Sequence, residues 1–230
     1  MLHSVREVTK QATQMDASTI RTIIFDLGEV LIGGLYGIER PLSERLTIHE
    51  EDILQVFAGP HLKDFCCGRI TEDEYLWGIL QRQGWPLPLA ELKQIVRANL
   101  RRCVPGMDAI LSGLSSRYQL VVHSDHAREW VSYVRAVHPF LERFERAFFS
   151  FELGHTKDEP QAFRQVLAAL DRRPRECLFI DDQESNVRAA KSVGLGTIRF
   201  VDPAQLVCAL EKRNIRPIEN VCGFELDHSL

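Results

Sequence analysis

The stretch Ile23-Ile24-Phe25-Asp26-Leu27-Gly28-Glu29-Val30 decides how this chain is read. Its first three residues are β-branched or aromatic, as in a buried strand, and Gly28 opens the loop that follows. Asp26 therefore falls at a strand's carboxyl end. Two further apolar runs end in polar residues: Leu120-Val121-Val122-His123 leads into Ser124-Asp125, and Leu178-Phe179-Ile180 leads into Asp181-Asp182. Between them, Gly154-His155-Thr156-Lys157 brings a lysine a few residues ahead of Pro160. Open α/β sheets place their ligands at the carboxyl edge. The pattern predicts that Asp26 and its possible partners share that edge.

Working outward, the β/α alternation stops after the first strand for about eighty residues. Thr47-x-x-Glu50 and Thr71-x-x-Glu74 both read as capping boxes opening amphipathic stretches. The first would present Ile53, Leu54 and Phe57, and the second Tyr75, Leu76, Ile79 and Leu80. Pro86 and Pro88 then punctuate, and Leu92, Ile95, Val96 and Leu100 follow at helical spacing. Alternation then resumes. Helices are predicted over 107–115, through Trp130, Tyr133 and Val134, over 160–170 and over 184–193, with a last one from Pro203. Strands are predicted at 118–123, 147–149, 177–180 and 197–201. Strands separated by helices imply α/β architecture: a parallel, doubly wound sheet with a helical insert after its first strand.

Composition is that of an ordinary globular chain: 230 residues, 45% hydrophobic and 26% charged. A net charge of −4 and scattered basic residues give no electrostatic reason to expect nucleic acid or an anionic membrane. No apolar run approaches a bilayer span, and Leu2-His3-Ser4-Val5-Arg6-Glu7 does not read as a signal peptide. A cytoplasmic enzyme is the expectation. Cysteines at 66, 67, 103, 177, 208 and 222 lack paired CxxC spacing, so neither a zinc site nor a disulfide framework is indicated.

The ordered set of Asp26, Ser124, Lys157 and Asp181-Asp182 resembles the four motifs of the haloacid dehalogenase (HAD) superfamily, most of whose members are phosphatases. The stretch from Ile23 to Val30 is most similar to the subgroup of sugar-1-phosphate phosphatases and epoxide-hydrolase phosphatase domains. The resemblance implies a Rossmann-like core over 21–33 and 104–214 with a small helical cap over 34–103. Residues 1–20 are then an N-terminal extension and 215–230 a C-terminal tail. It also implies that Asp26 is a nucleophile forming an aspartyl-phosphate, that Ser124 and Lys157 serve the phosphoryl group, and that Asp26 and Asp182 ligate Mg²⁺ with Asp181 in support. Asn186 matches a polar position that orients the carboxylates. The partner would be a small phosphorylated metabolite; oligomeric state is not legible.

Each residue also has an ordinary structural reading. Ser124 or Asp125 could cap a helix, Asp181-Asp182 could be acids at a helix N-terminus, and Lys157 could be a solvated loop lysine. The chain also departs from the family pattern. Gly28 stands where the phosphatases usually carry a second aspartate that protonates the leaving group, a contribution of about 10²- to 10⁴-fold. Asp125 replaces a common asparagine, and Asp158 the proline that usually follows the lysine. Glu29 is expected to point elsewhere along the loop. Candidate substrate-choosing residues in the cap are His61, Lys63 and Arg69. Besides the phosphatase, a catalytically weak HAD-fold binding or regulatory protein is a second reading. A metal-independent haloacid dehalogenase is a third, disfavoured by Asp181-Asp182.

Overall fold

The computed structural model describes residues 20–217. All but the last residue of the N-terminal extension, most of the C-terminal tail and Cys222 lie outside the described residues. Five parallel strands form one sheet in the order β3-β2-β1-β4-β5. They are β1 (Thr22–Phe25), β2 (Gln119–Ser124), β3 (Arg146–Phe149), β4 (Cys177–Asp181) and β5 (Gly196–Arg199). The central strand β1 sits between β2 and β4, with Phe25 level with Val122 on one side and Ile180 on the other.

The strands read as continuous apolar runs because both faces of the sheet are covered. Alternate side chains go to opposite faces. Ile23, Phe25, Leu120, Val122, Leu178 and Ile180 join one apolar cluster, and Ile24, Val121, Cys177 and Phe179 the other. On the first face pack α6 (Met107–Ser115), α7 (Arg128–Val137) and α11 (Pro203–Glu211); on the second, α9 (Pro160–Leu170) and α10 (Glu184–Ser192). Helix α10 ends at Gly194, whose φ of 91° suits a residue without a Cβ.

The stretch between β1 and β2 is helical as expected: α1 (Glu39–Leu46), α2 (Leu54–Phe57), α3 (Pro60–Cys66), α4 (Glu72–Gln83) and α5 (Leu89–Leu100). Thr71 and Glu74 form a reciprocal capping box at the start of α4. Thr47 does not open a helix. It closes α1 in a left-handed conformation (φ 58°), donating its N–H to Ser43 O, and an N-cap needs extended backbone instead. Glu50–Asp52 is only a 3₁₀ turn, and α2 starts later and is short. The inward faces of these helices merge with the first-face cluster through Leu42, Phe57, Phe65, Tyr75, Leu76, Val96 and Leu100. Each large apolar side chain so buried contributes about 1.5–3 kcal/mol. Between β3 and α9 lies a one-turn helix, α8 (Ser150–Leu153), that periodicity does not reveal. Among the described residues no helix is long and apolar enough to cross a membrane.

Candidate active site

Three neighbouring strands deliver the predicted residues to one edge. Asp26 follows β1, Ser124 is the last residue of β2, and Asp181 the last of β4. Lys157 comes from the loop between α8 and α9. Its backbone N–H lies 3.1 Å from both carboxylate oxygens of Asp125, which ties that loop to the end of β2. The Lys157 Nζ then stands 2.6 Å from Asp26 Oδ1 and 2.7 Å from Asp181 Oδ2. Ser124 Oγ donates to Asp26 Oδ1 at 2.7 Å, and the Leu27 N–H donates to the same oxygen at 2.6 Å. Three donors thus converge on Oδ1. Among the described residues none of the hydrogen bonds or ion pairs of Asp26 uses Oδ2.

Lys157 is 2% exposed, so its charge must be held by its neighbours. Burial alone would favour losing the proton, but Asp181, Asp26 and Asp125 outweigh it and hold the ammonium above the usual lysine range. One ammonium does not neutralise the acids around it. Burial, followed by repulsion from Asp26, pushes Asp181 up to about 6 against the attraction of Lys157. Asp125 is pushed up to about 7, chiefly by burial. Asp182, half-buried, is also raised, by burial and then by Asp181. Asp125 is thus a weak acid bonded to the Lys157 backbone, which softens the charge expected from its replacing asparagine.

Asp26, Asp181 and Asp182 each offer a carboxylate oxygen, and these oxygens all lie within 4.8 Å of one another. Asn186, on α10, donates to Asp181 Oδ1 and Oδ2 at 3.1 and 3.2 Å, and the Gln183 N–H donates to Oδ1 at 2.8 Å. Hard oxygen donors carrying excess negative charge fit a small divalent cation.

Asp26, Asp182, Gln183 and Asn186 line a cavity of about 490 Å³, with Asp181 buried behind them. Its wall includes residues the sequence did not mark. His126 reaches Ser124 Oγ with Nδ1 at 3.1 Å. Glu29, left-handed at φ 59°, turns its side chain back so that Oε1 accepts from the Gly34 and Tyr36 N–H groups, each at 2.9 Å. A Cβ on Gly34 would come within 2.7 Å of that oxygen, so a larger residue there would displace the Glu29 carboxylate from this position. From the other side Asn99 Nδ2 donates to Gly34 O and Tyr36 O. Glu29 therefore does not point away as expected; it lines the cavity and holds the loop that presents Tyr36. Of the insert candidates only Lys63 lines the cavity, pairing with Glu159 at 2.8 Å and Asp158 at 3.4 Å. His61 packs on Tyr75, and Arg69 pairs with Asp64. Cys66 and Cys67 are buried thiols, both raised chiefly by burial.

Comparison with known proteins places the chain in a family. A D-ribitol-5-phosphate phosphatase of Bacteroides thetaiotaomicron is 25% identical over 204 residues, covering 78% of this chain and 91% of the relative. Rat bifunctional epoxide hydrolase 2 is 37% identical over 71 residues, 31% of this chain but only 13% of that protein's length. A HAD family enzyme of B. thetaiotaomicron, solved in complex with magnesium and inorganic phosphate, superposes with a TM-score of 0.65 at 23% identity, covering 81% of this chain and 98% of that one. The haloacid dehalogenase-like hydrolase family matches residues 20–194, a span that contains β1 to β4 and so every strand end that carries a site residue. The chain belongs to the haloacid dehalogenase-like hydrolases.

Proposed function

We propose that the protein is a Mg²⁺-dependent phosphatase of small phosphorylated metabolites, working through an aspartyl-phosphate on Asp26. The observation that carries this reading is the asymmetry of the Asp26 carboxylate. Oδ1 is occupied by Lys157, Ser124 and the Leu27 N–H, while Oδ2 is left for attack. In the first step Oδ2 bonds to phosphorus and the bond from phosphorus to the leaving oxygen breaks. Gly28 carries no acid, so the leaving oxygen takes its proton from water. In the second step water bonds to phosphorus, the Asp26 oxygen leaves, and inorganic phosphate is released. Lys157 faces the charge that develops on the phosphoryl oxygens, and Ser124 holds Asp26 Oδ1 in place beside them.

Asp26, Asp181 and Asp182 would hold the Mg²⁺. When bound, the ion supplies positive charge that lets a carboxylate approach a phosphate dianion. The relatives solved with magnesium and the ribitol phosphate phosphatase support the reading. Residues 34–103 are assigned the role of a cap, with Leu35, Tyr36, Leu62 and Lys63 forming the substrate-facing wall.

A panel of phosphorylated metabolites and p-nitrophenyl phosphate, assayed with Mg²⁺ and with EDTA, tests this. The expected result is phosphate release that requires Mg²⁺. Release of halide from a 2-haloacid, unaffected by EDTA, would instead mark the dehalogenase.

A further inference from the structure

Gly28, Ser124 and His126 meet at one wall of the cavity. Ser124 Oγ has a single proton, and its partner at 2.7 Å, the Asp26 carboxylate, is an acceptor. The hydroxyl therefore donates to Asp26 and accepts from its other neighbour, His126 Nδ1, at 3.1 Å. That assigns the imidazole proton to Nδ1. His126 Nε2 is then a bare lone pair, and it is buried with no partner among the described residues. Trp130 backs the ring edge-on at 6.1 Å between centroids. Burial first, then the charge of Lys157, lowers the imidazole to about 4, so the ring is neutral near pH 7.

A Cβ at position 28 would stand 3.4 Å from His126 Cε1. Position 28 and the ring at 126 are thus neighbours, at ordinary van der Waals distance.

We propose that His126 is a positioning residue for the nucleophile. Through Ser124 it fixes the direction of the hydroxyl proton, loads Asp26 Oδ1, and leaves Oδ2 free for phosphorus. The proposal rests on the phosphatase reading of the site. Without the Nδ1 donor the Ser124 hydroxyl is free to rotate, and Asp26 loses one of three restraints.

The test compares kcat and KM for p-nitrophenyl phosphate with Mg²⁺ in wild type, His126→Leu and His126→Asn. Asparagine keeps an N–H near the place of Nδ1; leucine does not. Loss of an outer hydrogen-bond partner of this kind costs about 10- to 100-fold, so His126→Leu should lower kcat by that factor with KM unchanged. His126→Asn should recover most of the rate. Folded fraction is checked by thermal unfolding of each variant. Equal losses in both folded variants, or a raised KM with normal kcat, would overturn the proposal. Nitrogen-15 NMR of the wild-type histidines gives a second readout that needs no turnover: His126 should carry its proton on Nδ1, and a proton on Nε2 would overturn the relay. Wild type inactive across the whole phosphate panel would sink the phosphatase reading instead, and the tautomer would still decide the relay.

Discussion

Lys157 Nζ and Asp26 Oδ1 form a 2.6 Å ion pair with both side chains under a tenth exposed. The same ammonium also pairs with Asp181, so one cation holds two buried carboxylates in place. Removing it leaves those charges uncompensated, which is more costly than exchanging the whole group for apolar residues.

Lys157→Met should therefore abolish phosphatase turnover and destabilise the metal-free protein by about 3–5 kcal/mol. Urea unfolding in EDTA measures this. A loss below about 1 kcal/mol, the level of a surface pair, would show that the pair is solvated.

His123 gives a pH prediction away from the acidic cluster. It is fully buried between Phe163 and Phe179, with Nδ1 at 3.5 Å from Phe148 O. Burial, then Lys157, lowers it to about 3. The unfolded chain binds a proton near pH 6.5 that the folded chain refuses, so this contribution is intact above pH 6.5 and lost as pH falls. Each unit below that removes about 1.4 kcal/mol, down to the folded value. His123→Phe should flatten the stability difference between pH 7 and pH 5 relative to wild type, read by urea unfolding at both. An unchanged difference would contradict the neutral, buried histidine.

The third prediction concerns Gly28. Its φ is not among the positive values, and the left-handed residue of this loop is Glu29. The backbone at 28 therefore accepts a side chain, which the sequence left open. Wild type should favour p-nitrophenyl phosphate over a sugar phosphate in kcat/KM, since phenolate leaves without a proton. Gly28→Asp should narrow that ratio, within the about 10²- to 10⁴-fold that a general acid can supply. A wild type that hydrolyses the sugar phosphate as fast as the aryl ester would show that another group donates the proton.

What the sequence could and could not reveal divides along physical lines. Buried strands announce themselves as apolar runs, so the residues at their ends, Asp26, Ser124 and Asp181, could be placed at one edge before any coordinates. Lys157 was legible from its order in the chain and from Pro160 after it. Glu29 and Asn99 were not, because their parts depend on a left-handed backbone and on contacts across up to 65 residues of sequence; His126 lies two residues from Ser124, but the turn of its ring onto that hydroxyl is not written in the apolar pattern. Thr47 misled for a related reason: threonine and glutamate three apart suit a capping box, but the end of α1 had already claimed the threonine. Lys63 could not be told from His61 or Arg69 until the insert was seen against Asp158 and Glu159.

The central claim is that Asp26 attacks phosphorus, and turnover of Asp26→Asn tests it most directly. The amide keeps the shape of the carboxylate but is no nucleophile. With folding verified by thermal unfolding and Mg²⁺ present, kcat/KM for the best substrate of the panel should fall by about 10⁴-fold or more. Turnover within about tenfold of wild type would contradict covalent catalysis by Asp26.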